Sequence, residues 1–170
     1  MKKLVLVTGA LNSGKTTLLN AYCSRLDLDK GLRLGGVACT VPLPGKEKNE
    51  WVLYDLRTGE TRLLMTLAET PGWEKKGRFF INPAVFPWAN SCIVQAFGNT
   101  DCLVFDEIGR FEIEGVGLAP AFSAALREYP GIVVAVVRDT LLDQVAAHFS
   151  IDLAKTDFLR TGIPLNEQYS

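Results

Sequence analysis

The chain has 170 residues, of which 48% are hydrophobic and 22% charged. That balance predicts one compact domain over residues 1–170 with a real core, and it excludes intrinsic disorder. Eighteen basic residues against 19 acidic ones leave a net charge of −1, so no bulk field draws the protein to nucleic acid or an anionic membrane, and any anion site must be local.

The opening "MKKLVLVTGA" imitates a signal peptide, but its apolar run stops at Thr8 and suits a buried strand from Leu4 to Val7. Nothing in the chain approaches the roughly 18 apolar residues of a membrane span. The expectation is a cytoplasmic, monomeric protein. A glycine-rich loop follows, then a helix from Lys15 to about Leu26 with Leu18, Leu19, Tyr22 and Leu26 at helical spacing. "GGVACTV" reads as a second strand, followed by a polar loop around Pro44 to Asn49. "WVLYDL" and "TRLLM", joined at "RTGE", predict a hairpin. Residues from Pro83 or Pro87 to Phe97 suit a helix with proline in its first turn and Gly98 as its stop. "DCLVFDEIG" is an apolar strand ending in two acids. A helix from Pro120 to Tyr129 leads into "GIVVAVV", the most continuous apolar run and the best match to a parallel strand buried on both faces. A helix from Leu141 to Phe149, a short strand over Ile151 to Ala154 and a weakly patterned tail complete the chain. Strands alternating with helices predict an α/β sandwich around a mainly parallel sheet. Right-handed crossovers then place the loops after the strands on one edge, where ligands bind. Cys23, Cys39, Cys92 and Cys102 are scattered, without a CxxC pair, and read as reduced thiols.

"GALNSGKT" fits GxxxxGK[ST] between a strand and a helix, which makes it a phosphate cradle and not a chance glycine turn. Gly9, Ala10, Asn12, Ser13, Gly14, Lys15, Thr16 and Thr17 line it. Glycines let backbone N–H groups turn inward, and the helix that follows adds the positive end of its dipole. Lys15 is expected in an open loop mouth as a mobile charge for the β and γ phosphates, and Thr16 as a hydroxyl for Mg2+. Hydrolysis needs acids as well. Asp106 closes the apolar strand where it can reach the metal, and Glu107, one residue on, can face water as general base. Arg110 is a catalytic candidate for charge on the departing phosphate. Arg138 ends "GIVVAVV" on the ligand edge, where it can sense the γ phosphate. His148, without a sequence partner, reads as a surface or capping residue. "AKTD", Ala154 to Asp157, imitates the guanine-reading NKxD element but has alanine for asparagine.

With "VTGALNSGKTTL" and "VFDEIGRFEI", the sequence resembles the small P-loop nucleoside-triphosphatase family first described from thermophiles, whose animal member is the cancer-related nucleoside-triphosphatase. Its strand pattern Gly-x-x-x-Thr falls at Gly36 to Thr40, and its acidic pattern at Asp106, Glu107, Ile108, Gly109, Arg110 and Glu112. The likeness runs intermittently to about Val137. "VPLPGKEK" stands where the family carries Glu-Val-Arg, and Arg110 where lysine is commoner. The resemblance implies a three-layer RecA-like P-loop fold and magnesium-dependent hydrolysis of nucleoside triphosphates to diphosphate and phosphate, with weak base discrimination. Two other activities use the same cradle. A phosphotransferase would need a second pocket and a basic lid, for which the hairpin with Arg57 and Arg62 is available. An accessory protein for cofactor or metal insertion would hydrolyse slowly until a partner docked.

Overall fold

A computed structural model describes residues 3–40 and 49–168. Most of the polar loop and the whole of "VPLPGKEK" therefore lie outside the described residues. In chain order the elements are β1 (Lys3–Gly9), α1 (Lys15–Lys30), β2 (Leu34–Cys39), β3 (Glu50–Asp55), β4 (Thr61–Thr66), β5 (Glu74–Lys76) and β6 (Phe79–Ile81). They continue with α2 (Val85–Ala96), β7 (Cys102–Phe105), α3 (Arg110–Ile113), α4 (Ala119–Glu128), β8 (Ile132–Arg138), α5 (Leu142–His148) and β9 (Asp157–Arg160). Among the described residues the strands form one sheet in the order β5-β6-β4-β3-β2-β7-β8-β1-β9.

The apolar runs explain its centre. Every residue of β7 is buried, and β8 is buried except at its ends, which requires cover on both faces. Side chains alternate accordingly. Val5, Val7, Val104, Val134 and Val136 pack with Leu19, Tyr22 and Leu26 of α1. Leu6, Leu103, Phe105, Val133, Ala135 and Val137 pack with Ala89, Ile93, Phe122, Ala125 and Val145 of α2, α4 and α5. The three-layer architecture follows from that alternation.

The sheet is mixed where a mainly parallel one was expected. From β2 through β7, β8 and β1 to β9 the pairings are parallel. From β2 through β3, β4 and β6 to β5 they are antiparallel. The expected hairpin exists as β3 and β4, but β3 pairs with β2 and so extends the sheet. A second hairpin, β5 and β6, adds two three-residue strands whose charged "EKK" carries no alternating signal. Helix α1 continues to Lys30 because its stop is Gly31 (φ 62), whose N–H bonds back to Asp27 O while that of Leu32 bonds to Leu26 O. The strand expected over Ile151 to Ala154 is instead a 3-10 turn, Leu153–Lys155, followed by β9. An edge strand with only Leu159 buried leaves little pattern to read.

Gly36 is held at φ 98, and a Cβ there would strike the backbone carbonyl of Val104, its partner on β7. Gly36→Ala is therefore expected to cost about 3 kcal/mol in urea unfolding through strain and lost strand approach. Gly98, with nothing near its would-be Cβ, is the control, and Gly98→Ala should stay within about 0.5 kcal/mol of the parent.

Candidate active site

The C-terminal ends of the parallel strands put one loop from each on a single edge. The P-loop leaves β1 there. Asn12 (φ 55) and Gly14 (φ 89) turn the loop back on itself, and Ser13 N–H bonds to Ala10 O at 3.3 Å. Gly14 is the N-cap of α1 and offers no side-chain cap, and the first helical bond is Leu18 N–H to Gly14 O. Helix geometry leaves the amides of Lys15, Thr16 and Thr17 directed out of the helix end, where an anion is favoured. Lys15 differs from the expectation of an open loop mouth: it is only 7% exposed, and its Nζ donates to Ala10 O at 2.6 Å. Burial lowers the pKa of its ammonium. Arg138 acts the same way, against the pull of Glu107, Asp139 and Asp106.

Asp106 follows β7 and is 4% exposed. Its Oδ2 accepts from Thr16 Oγ1 at 3.0 Å and from Cys39 N–H at 3.2 Å. The carboxylate thus joins α1 to the end of β2. Glu107 turns elsewhere, its Oε1 lying 3.0 Å from Arg138 Nη2 in an ion pair. The Asp106–Glu107 peptide is cis. Ile108 then anchors the turn, fully buried, with its N–H on Val136 O at 2.8 Å.

Glu112 holds the next step. It is 3% exposed, and its two oxygens accept the amides of Gly109 and Leu118, each at 2.8 Å. Burial pushes its carboxyl pKa up, while those amides pull it down. Its side chain is a clamp between the acidic turn and the start of α4, and a Cβ at Gly117 (φ 64) would strike it. Sequence reasoning matched Glu112 to a pattern without finding this job. It missed Thr161 altogether. Thr161 follows β9, donates its hydroxyl to Ser13 Oγ at 3.0 Å and its N–H to Thr8 O at 3.0 Å, and a Cβ at Gly9 would strike its hydroxyl.

The structure therefore brings the whole P-loop, Asp106, Glu107 and Arg138 to one edge. Arg110 begins α3 and is exposed; the cation paired with Glu107 is Arg138. His148 ends α5 on the surface with its ring 4.7 Å from that of Phe149. "AKTD" lies at the wrong end of the sheet for a nucleotide: Asp157 starts β9 opposite Val5 and pairs with Lys3 at 2.6 Å, while Lys155 pairs with Asp152 at 3.2 Å. Arg62 is occupied by Glu60 and lies over the Trp88 ring at 5.6 Å, so β3 and β4 form sheet and not a free lid. The four cysteines are reduced thiols, and burial pushes the Cys23 pKa up to about 12, away from reactivity.

A hydroxyl and a carboxylate in contact are hard oxygen donors of the kind Mg2+ takes. Among the described residues no group of three or more His, Cys, Asp or Glu side chains can hold a metal. Thr16 and Asp106 fit an ion whose remaining ligands are phosphate oxygens and water. No helix among the described residues is long and apolar enough to cross a membrane.

A family model described as NTPase matches residues 4–157, well past the Val137 to which the sequence likeness was traced. The nucleoside-triphosphatase THEP1 of Methanothermobacter thermautotrophicus is 28% identical over 138 residues, covering 81% of this chain and 78% of the relative. That of Methanosarcina barkeri is 21% identical over 163 residues, covering 94% and 92%. The crystal structure of THEP1 from the hyperthermophile Aquifex aeolicus superposes with a TM-score of 0.71 at 16% identity, covering 99% of this chain and 94% of the other. The solution structure of a human cancer-related nucleoside triphosphatase gives 0.67 at 19%, covering 98% and 91%.

Because the folded protein binds the Lys15 proton less tightly than the unfolded chain does, a charged Lys15 costs stability below its folded pKa, and the cost vanishes as pH rises through the ordinary value of 10.5. Lys15→Met is accordingly expected to melt no lower than the parent at pH 7, with any advantage closing as pH approaches 10.5. Triphosphate affinity should fall by about 100-fold. Calorimetry across pH checks the first effect, and nucleotide titration the second.

Proposed function

This chain belongs to the NTPase family, its chemistry is the hydrolysis of nucleoside triphosphates, and we propose that it runs this reaction with Mg2+ at the edge formed by the P-loop, Asp106 and Glu107, with little preference among bases. The observation that carries the reading is the divergence of two adjacent acids. Asp106 is fixed on the Thr16 hydroxyl, and Glu107 stands half-exposed in the mouth.

In this reading the loop amides and those of the first turn of α1 bind the phosphate oxygens. Lys15 exchanges Ala10 O for the β and γ phosphates. Thr16 and Asp106 hold Mg2+, which when bound neutralises charge on the phosphate oxygens. Glu107 orients a water and takes its proton as the water oxygen bonds to the terminal phosphorus. The bond from that phosphorus to the bridging oxygen breaks, and its electron pair leaves with the diphosphate. Base indifference is supported by the incomplete NKxD element. The sheet-bound hairpin gives no support to a lid, and with it to phosphotransfer.

Steady-state phosphate release with ATP, GTP, CTP and UTP tests this. The four parent rates are expected to agree closely. Glu107→Gln should cut turnover by about 100-fold while triphosphate binding persists, and Thr16→Ala and Asp106→Asn should each raise the magnesium needed for half-maximal rate. Parent-like turnover in Glu107→Gln removes the base assignment, and an unchanged magnesium response removes the metal assignment.

A further inference from the structure

Arg138 is the last residue of β8 and lies opposite Gly9 in register, which sets its backbone beside the first residue of the P-loop. Its ion pair with Glu107 is in the mouth of the site, the two side chains being 39% and 35% exposed. Its Nε is different: it is buried and has no hydrogen-bond partner among the described residues. Roughly nine in ten buried polar groups have such a partner, so the rotamer that reaches Glu107 leaves a donor unmet. A guanidinium carries five N–H groups in a fixed fork suited to phosphate. Lys15, in the same loop edge, feels the Arg138 charge. Two cations therefore crowd an anion cradle while one of them is parked on the carboxylate proposed as the base.

We propose that Arg138 is a further catalytic residue that exchanges Glu107 for a terminal phosphate oxygen when a triphosphate binds, so that the base is released only when there is a bond to cleave. While the pair is closed, Glu107 Oε1 is engaged by Arg138 and is not available to water. A triphosphate delivers a more highly charged acceptor beside Gly9, and turning toward it relieves the unmet Nε. A diphosphate ends short of that position and leaves the pair closed. The inference rests on the reading of Glu107 as base, but its central claim, contact with the terminal phosphate, is measurable without turnover.

The test is the ratio of affinities for a non-hydrolysable ATP analogue and for ADP, both with Mg2+, by calorimetric titration of the parent, Arg138→Ala, Glu107→Gln and the double variant. Arg138→Ala is expected to lose about tenfold or more in analogue affinity, the usual worth of one charge-assisted hydrogen bond, with ADP affinity unchanged. Glu107→Gln should bind the analogue more tightly than the parent, because no ion pair has to open, and the double variant should lose that gain. Arg138→Lys, which keeps the charge but not the fork, should lie between parent and alanine, and it serves if Arg138→Ala does not fold. Equal losses for analogue and ADP, or no loss of either, would overturn the proposal and leave Arg138 as a structural partner of Glu107. If Glu107→Gln keeps its turnover while the affinity ratio still collapses in Arg138→Ala, the base reading fails and the phosphate contact stands.

Discussion

Burying a carboxylate is costly unless its oxygens find donors, and Asp106, at 4% exposure, finds them on two other elements. The Thr16 hydroxyl comes from the first turn of α1, and the Cys39 amide from the end of β2. The second is where it is because β2 lies directly against β7, an approach that only a glycine at position 36 permits. A constraint in the sheet interior is thereby transmitted to Asp106, the acid proposed to hold the metal. The same contact explains why the strand pattern beginning at Gly36 and the acidic turn travel together in this chain: each would be misplaced without the other.

The charges of the site are arranged in pairs within the protein. Lys15 is folded onto a loop carbonyl, Arg138 onto Glu107, and Asp106 onto a hydroxyl and an amide. None of these partners is the group on which the residue acts in the proposed reaction. The arrangement limits the cost of holding cations close together, and burial still lowers the pKa of Lys15. In the proposed reaction a triphosphate draws Lys15 and Arg138 off these partners together, which would favour binding of the complete substrate over its fragments.

Much of this was legible in the sequence, because the signals are local. Unbroken apolar runs announced β1, β7 and β8, whose burial on both faces removes any polar alternation. The glycines and Lys15 mark the cradle by chemistry alone, and the adjacency of Asp106 and Glu107 follows from the strand ending between apolar and acidic residues. What escaped notice is long-range. Glu112 acts through amides at Gly109 and Leu118, and Thr161 reaches Ser13 across 148 positions of sequence, which no periodicity records. The outer strands were missed for a different reason: β5 and β6 are three residues each, and β9, among the described residues, pairs only with β1, so backbone hydrogen bonds hold them with little apolar pattern. Arg110 looked as good as Arg138 in one dimension because a turn follows the acids, and only the register of β8 against β1 shows which arginine faces them.

The unequal anchoring of the two acids is itself a mechanism. Asp106 is buried and held by two hydrogen bonds, and Ile108, two residues later, is pinned to Val136. Gly109 is then fastened to Glu112, whose own carboxylate is buried and doubly engaged. Glu107 is the one link of this stretch whose side chain reaches into the mouth, restrained there by an ion pair at 35% exposure, a kind of contact that water weakens. A metal ligand gains from rigidity, since its worth lies in fixed geometry. A base that must meet a water appearing only with the substrate gains from freedom in its side chain, provided the backbone does not move. Clamping both flanks of Glu107 while leaving its carboxylate to a partly exposed partner meets both demands, and it suits the proposed division in which the buried acid positions and the partly exposed one transfers the proton.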